Sequence, residues 1–154
     1  MSRDRAEEII VRVQEILQTL AAAESETHYV WRDRIAFDED TELPAYVVMD
    51  GGEERKRATT DRQGFNIMEL VPPIFYVPRP TENQLNVGVG PSISARRRKI
   101  IKAIKLDGKL QDICTADGWV EYFRTQTDMD VGMEVEGHIR VEFGFGYPLD
   151  FRKL

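Results

Sequence analysis

Between Ser94 and Lys109 the sequence sets down Arg96, Arg97, Arg98, Lys99, Lys102, Lys105 and Lys109. These are seven of its 21 lysines and arginines, although the whole chain carries a formal charge of -6. Cations at this density neutralise phosphate, and a helix that carries them can enter a nucleic-acid groove. No helix-turn-helix, zinc finger or basic zipper surrounds them. Their aliphatic stems can instead cover a helix flank while the charged ends reach water, or the charges can pair with carboxylates across a subunit boundary. An interface or a solvated helix face is the preferred reading; direct nucleic-acid contact and a nuclear address rank below it.

The other reactive side chains do not gather into a recognisable site. Asp38, Glu39, Asp40 and Glu42 offer the oxygen ligands that a hard cation takes, yet their spacing is not that of an EF-hand loop. A solvent-facing acidic loop is expected there, and for Asp128 and Asp130 as well. Glu134, Glu136 and Glu142 alternate along one strand, but paired acids do acid–base work only where their surroundings separate their pKa values. His28 and His138 are the two histidines, and neither stands in HExxH or beside a nucleophile motif. VGVGPS lacks the ending and the glycine spacing of a phosphate loop and reads as a turn. Cys114 is alone, which excludes an intrachain disulfide and a cysteine cage for zinc or iron–sulfur; near a helix end it reads as a small buried hydrophobe. Trp31 and Trp119 read as packing groups. The expectation is therefore no catalytic, cofactor-binding or metal residue, no cofactor and no enzyme.

The elements that must position these residues follow from hydrophobic spacing. Its 154 residues suit one domain over 1–154, large enough to bury a core without staples. Apolar residues at 42% and charged residues at 31% suit a globular protein in water. The charged N-terminus lacks the apolar stretch of a signal peptide, and no run approaches the roughly 20 apolar residues of a membrane span. Ile9, Ile10, Val13, Ile16, Leu17 and Leu20 predict a helix from about Asp4 to Ala22, and a short strand should follow it. Ala45–Met49 predicts an interior strand opened by Pro44, then a turn at Asp50, Gly51 and Gly52 whose charged continuation returns as an exposed hairpin arm. Gly51–Gly64 is expected to be a long polar loop or hairpin. Phe65–Pro78 is extended, and its Pro72–Pro73 pair predicts an edge or bulged strand.

Pro91 and Ser92 could open the basic helix. Ile93, Ile100, Ile101 and Ile104 share its apolar face, with Leu106 and Leu110 extending it. A break at Gly108 precedes a short second helix, then a turn and a strand around Trp119. The clearest pattern is terminal: Val135, Ile139, Val141, Phe143, Phe145, Tyr147 and Leu149 alternate with Glu134, Glu136, His138, Arg140 and Glu142, the signature of a strand with one dry and one wet face. Gly137, Gly144 and Gly146 permit a bulge or a close approach. The sum is an α+β domain: a mostly antiparallel sheet with the N-terminal and central helices packed on one face.

The order of these blocks carries a resemblance. EEIIVRVQEILQTLAA, then VWRDRIAFDEDTELPAYVVMDGGEE, then ISARRRKIIKAIKLDGKLQDI, then GWVEYFRTQTDMDVGMEVEGHIRVEFGFGY resemble in succession the tail terminator, or tail-completion (minor tail), proteins of long-tailed bacteriophages. The Gly51–Gly64 segment and the Pro72–Pro73 pair do not map onto that pattern. The resemblance implies a structural α+β subunit of the virion. It would form a homo-hexameric ring that caps the tail tube at its head-proximal end and joins it to the head connector, after assembly in the host cytoplasm. Its partners would be further copies of itself, the tail tube protein and the head–tail connector protein, with DNA passing through the lumen and no membrane. The Arg96–Lys105 face would meet a neighbouring subunit or that DNA. The alternatives are another head–tail connector component and a small nucleic-acid-binding regulator that uses the basic helix.

Overall fold

In the structure, a computed structural model that describes residues 4–34, 42–58, 65–78, 89–114, 118–127 and 138–150, the periodic stretches become three helices and seven strands. Helix α1 spans Arg5–Ala22, where the side chain of Asp4 caps the first turn by accepting the Glu7 N–H at 3.1 Å. Ile9, Ile10, Val13, Ile16 and Leu17 form its buried stripe. Strands β1 (Tyr29–Arg32) and β2 (Ala45–Val48) pair in parallel. Strands β3 (Gly52–Ala58), β4 (Phe65–Val71), β5 (Pro73–Val77), β6 (Trp119–Thr127) and β7 (Ile139–Asp150) complete one sheet in which every other pairing is antiparallel. Between β5 and β6 lie α2 (Val89–Lys105) and α3 (Gly108–Cys114).

The long strand β7 organises the sheet. β6 lies along one side of it, while β4 and β5 lie end to end along the other. The β4 ladder ends at Leu70↔Phe145 and the β5 ladder resumes at Pro73↔Glu142 in the same register. Phe65–Val77 is thus one strand interrupted at Val71 and Pro72. It is interior, with β2 and β3 on its far side, where the proline pair had predicted an edge or a bulge. Pro72 is tolerated because it lies in the break between the two ladders, where its absent N–H is not needed.

The partner strand breaks at the same level. Asp50–Gly52 does not reverse the chain. β2 and β3 run on in one direction against β5 and β4, and the expected hairpin arm is a strand of the main sheet. A Cβ at Gly51 would lie 2.1 Å from the Val71 carbonyl oxygen, so only glycine allows the backbones to approach this closely. The expected Gly51–Gly64 loop is strand up to Ala58; positions 59–64 lie outside the described residues.

One face of the sheet is packed under the helices. Ile139, Val141, Phe143, Phe145 and Tyr147 alternate inward from β7 and meet Tyr46, Val48, Leu70, Ile74 and Tyr76 from the neighbouring strands. α1 lies over the β1 and β2 side, and α2 and α3 lie over β6 and β7. Ile100 and Ile104 are fully buried and Ile101 is half-buried; the side chain of Ile93 lies outside the described residues. Helix α2 begins at Val89, two residues before Pro91. Leu106 departs from expectation at 68% exposed, because it follows the last turn of α2 and points away from the core, whereas Leu110 on α3 is buried.

The opposite face of β7 is not the wet face that alternation predicted: His138 and Glu142 are buried. A second cluster of Leu43, Ala45, Val47 and Val77, with Tyr29, Trp31, Met49 and Phe75, lies on that side of β1, β2 and β5. A strand bearing charge at alternate positions is thus enclosed on both faces over part of its length. Val135, Glu134, Glu136 and Gly137 lie outside the described residues, as do Asp38, Glu39, Asp40, Asp128 and Asp130.

Polar contacts also hold the helix layer. Arg12 on α1 donates from Nε to Asp107 Oδ2 at 2.9 Å and from Nη2 to Oδ1 at 2.6 Å. Asp107 also accepts the Leu110 N–H at 2.9 Å, capping α3. Arg5 Nη1 donates to the Ile113 carbonyl near the other end of α3 at 2.9 Å. Asp107→Ala should destabilise the protein by roughly 1–3 kcal/mol, the combined effect of a lost cap and a lost charge-assisted pair. Urea unfolding of both proteins at neutral pH checks this. Arg12 holds the Asp107 carboxyl below the usual aspartate range. That part of the stability is present above the unfolded-state pKa of Asp and fades as pH falls through the lower folded value.

Candidate functional site

The basic run divides between two sides of α2, and the division follows helical spacing. Arg96, four residues before Ile100 and on its face, turns inward toward α1. Its Nη1 donates to Glu24 Oε1 and, at 3.0 Å, to the Tyr46 hydroxyl. Its guanidinium lies 4.6 Å from the Tyr76 ring centre, a cation–π distance. Tyr46 donates to Glu24 Oε1 at 3.2 Å, and Lys99 Nζ stands 3.5 Å from the same oxygen. His28 completes the group, with Nε2 3.2 Å from the Tyr76 hydroxyl. Burial raises the Glu24 pKa, but the charges of Arg96 and Lys99 outweigh it and leave the carboxyl below its ordinary range.

This network fastens the first half of α2 to the turn after α1. It lies beside an open groove of about 570 Å³ lined by residues from Gln18 to Val30. Arg96, expected to meet a neighbouring subunit or DNA, is thus engaged within its own chain. The network was not legible in the sequence, because Glu24, His28, Tyr46, Tyr76 and Arg96 come from four separated segments.

The outward side differs. Arg97, Arg98 and Lys102 are exposed and make no hydrogen bond or ion pair with any described residue. Arg98, Lys102 and Lys105 follow one another at helical spacing, and Lys105 Nζ donates to the Val120 carbonyl on β6. The stripe thus runs down the β6 side of the helix layer. Several other described cations are engaged: Arg32 with Glu7 and Asp50, Arg34 with Glu42, and Arg124 and Arg140 with Glu142.

At the opposite side of the sheet, carboxylates collect at the N-terminus of α1 and the end of β1. Arg32 donates to both oxygens of Glu7, at 2.7 and 2.8 Å, and to Asp50 at 2.9 Å, with Asp33 3.8 Å away. Asp33 has a φ of 55°, a left-handed conformation that Asp adopts more readily than most residues; its side chain accepts the Asp50 N–H at 2.6 Å. Glu53 sits nearby with its pKa raised by burial and by the charge of Asp4.

On the outer sheet face, Trp119 and Phe123 occupy the space above the two glycines of β7. A Cβ at Gly146 would lie 2.3 Å from the Trp119 ring, and one at Gly144 would lie 2.2 Å from Phe123. Trp119 Nε1 donates to Glu69 at 2.7 Å. The Gly-x-Gly spacing did signal a close approach; which side chains make it depends on the β6–β7 register.

Of the other candidates, Cys114 is buried and its thiol is pushed up to about 12 by desolvation, the environment of an inert cysteine. His138 is fully buried, with its ring stacked on Phe75 at 5.1 Å; desolvation, with the Arg140 charge second, lowers its pKa to about 4. Trp31 donates to the Glu42 carbonyl at 3.1 Å and lies under Arg34. Among the described residues no group of three or more His, Cys, Asp or Glu side chains is placed to hold a metal ion, and no helix is long and apolar enough to cross a membrane. No protein-family model matches the chain, and no curated protein is significantly similar to it.

Two outcomes follow. Arg96→Ala takes the guanidinium away from Glu24, the Tyr46 hydroxyl and the Tyr76 ring and should cost roughly 2–3 kcal/mol, below the full range for a buried pair because some solvent reaches it and Lys99 stays near Glu24. Arg98→Ala should stay within about 0.5 kcal/mol. Chemical denaturation of the two variants measures the contrast. For His138, the unfolded chain binds its proton near pH 6.5 while the folded chain resists it to about pH 4. Stability should therefore fall by up to roughly 3 kcal/mol as pH drops through that window. His138→Phe should flatten that dependence in pH-resolved thermal melts.

Proposed function

We propose that this chain is a ring-forming structural subunit of the tail-terminator kind, closing the head-proximal end of a phage tail tube and presenting a surface to the head connector. The observation that carries the reading is the pair of unlike margins at which the sheet ends among the described residues. β1 and β3 form one margin, and β6 forms the other. A cyclic assembly needs two different, complementary patches on each copy, whereas a two-fold dimer uses one patch twice. The margins differ in kind. One joins a short parallel-paired strand, β1, to an antiparallel one, β3, and is flanked by carboxylates; the other is a nine-residue antiparallel strand beneath the basic helix.

The order of blocks along the chain supports the same reading. The α+β layout, with helices on one face of a mostly antiparallel sheet, agrees with what that resemblance implies. Such a subunit works by position. It has to hold rigid flanks at a fixed angle, and the Arg12–Asp107 and Arg96–Glu24 pairs fasten the helices that carry those flanks.

Native mass spectrometry over a range of concentrations, with and without purified tail tubes, tests the proposal. Six copies weigh about 107 kDa, six times the 17.8 kDa chain, and a closed ring of that mass is the expected product. Electron microscopy should find it at one end of the tube. A monomer or dimer that ignores tubes but binds DNA with a steep salt dependence would replace this reading with that of a nucleic-acid-binding regulator.

A further inference from the structure

Resting on the ring reading, we infer that Arg97, Arg98 and Lys102 of one copy seat against the carboxylates of Glu7, Asp33 and Asp50 of a second copy, so that neighbouring subunits meet through an electrostatic, head-to-tail seam. The occupant of the basic face is thus a second copy of this chain.

Charge complementarity within the molecule leads to this partner. Arg97, Arg98 and Lys102 project from α2 without a described partner, in a chain with 27 acidic residues against 21 lysines and arginines. At the other margin Glu7, Asp33 and Asp50 share one guanidinium, that of Arg32. Three carboxylates around one cation leave a surplus of negative charge, and Asp4 and Glu53 add to it. Burial first, and the charge of Asp4 second, oppose the ionisation of Glu53. Each of the three carboxylates around Arg32 keeps about half of its side chain in water, at 50%, 46% and 55%, so a second cation can reach it.

The two surfaces also lie where a head-to-tail contact needs them. α1, which carries Glu7, covers β1 and β2, while α2 covers β6 and β7. They flank different margins of the sheet, and a cyclic array brings the first of one copy beside the second of the next.

The manner of contact follows from the state of β6. An open edge strand invites pairing with another chain unless it is blocked. Here Lys105 donates to the Val120 carbonyl, and the β6–β7 register slips between Tyr122 and Arg124, so that Phe123 forms a bulge. Both devices discourage a further strand from adding at this edge. The seam therefore depends on side-chain charge above the edge and not on continuation of the sheet. Such contacts set register and partner choice, and salt weakens them.

The test uses two full-length variants. The first carries Arg98→Glu and Lys102→Glu, and the second carries Glu7→Lys and Asp50→Lys. Each alone places like charges across every seam, and its assembly should be weaker than wild type by about a hundredfold or more. Mixed in equal amounts, the two should assemble again. Every seam is then satisfied if the copies alternate, and mass-tagging one variant should reveal rings with three copies of each. A milder pair, Arg98→Gln and Lys102→Gln, guards against misfolding; it should keep wild-type melting while its assembly loses salt dependence. If both reversed variants form rings as wild type does, or the mixture fails although each variant is folded, the seam is overturned while the ring reading stands. If assembly is unchanged and only DNA retention is lost in the first variant, the occupant of α2 is a polyanion and the inference is also overturned. If wild type forms no ring even on tail tubes, the ring reading fails and takes the seam with it.

Discussion

Five large side chains on one strand, Ile139, Val141, Phe143, Phe145 and Tyr147, must leave water together, and the remaining elements are arranged to make that possible. Each is at most 1% exposed. Burying a side chain of this size contributes roughly 1.5–3 kcal/mol, so the row is a large share of what holds the domain together. A strand can bury such a row only if its backbone is paired and its face is covered. β7 meets the first condition with β6 on one side and the β4–β5 strand on the other. It meets the second with α2 and α3, while α1 covers the neighbouring strands.

The interruption at Pro72 follows from the same requirement. A strand long enough to flank β7 also has to twist with it. The prolines and Gly51 concentrate the break at one level, where the ladder on each side of the β4–β5 strand is already interrupted. The bulge at Phe123 and the glycines under Trp119 and Phe123 shape the other flank. What reads in isolation as a series of strand-breaking residues is a set of places where two long strands accommodate one another.

Polar groups fix the helices after apolar burial has placed them. Arg12 reaches a carboxylate that also caps α3, and Arg96 reaches a carboxylate in the turn that ends α1. These two guanidinium groups lock α2 and α3 against α1 at both ends. With the inward cation held, the outward cations stand at defined positions relative to the sheet. That fixed geometry distinguishes a surface able to select a partner from a merely charged helix.

The sequence by itself determined what depends on neighbours a few residues away. The stripe of α1 and the alternation of β7 are periodic, so each element and its apolar face were legible. The pairing of Gly108 with a helix break and the isolation of Cys114 were legible as well, and together they implied the α+β class. The tertiary structure decided whatever depends on distant strands. Asp50–Gly52 carries turn residues, yet the chain runs straight on because β5 and β4 wait in line to pair with both halves. Pro72–Pro73 has the composition of an edge but lies inside the sheet, because what matters is whether a partner needs the missing N–H. His138 and Glu142 occupy polar positions in a period-two pattern, yet alternation assigns a residue to a face and does not reveal whether that face is covered. The candidate site divides in the same way. The density of charge around Arg96–Lys105 was plain from composition, but only packing against Glu24, Tyr46 and Tyr76 separates the cation that locks the fold from those that remain outside it.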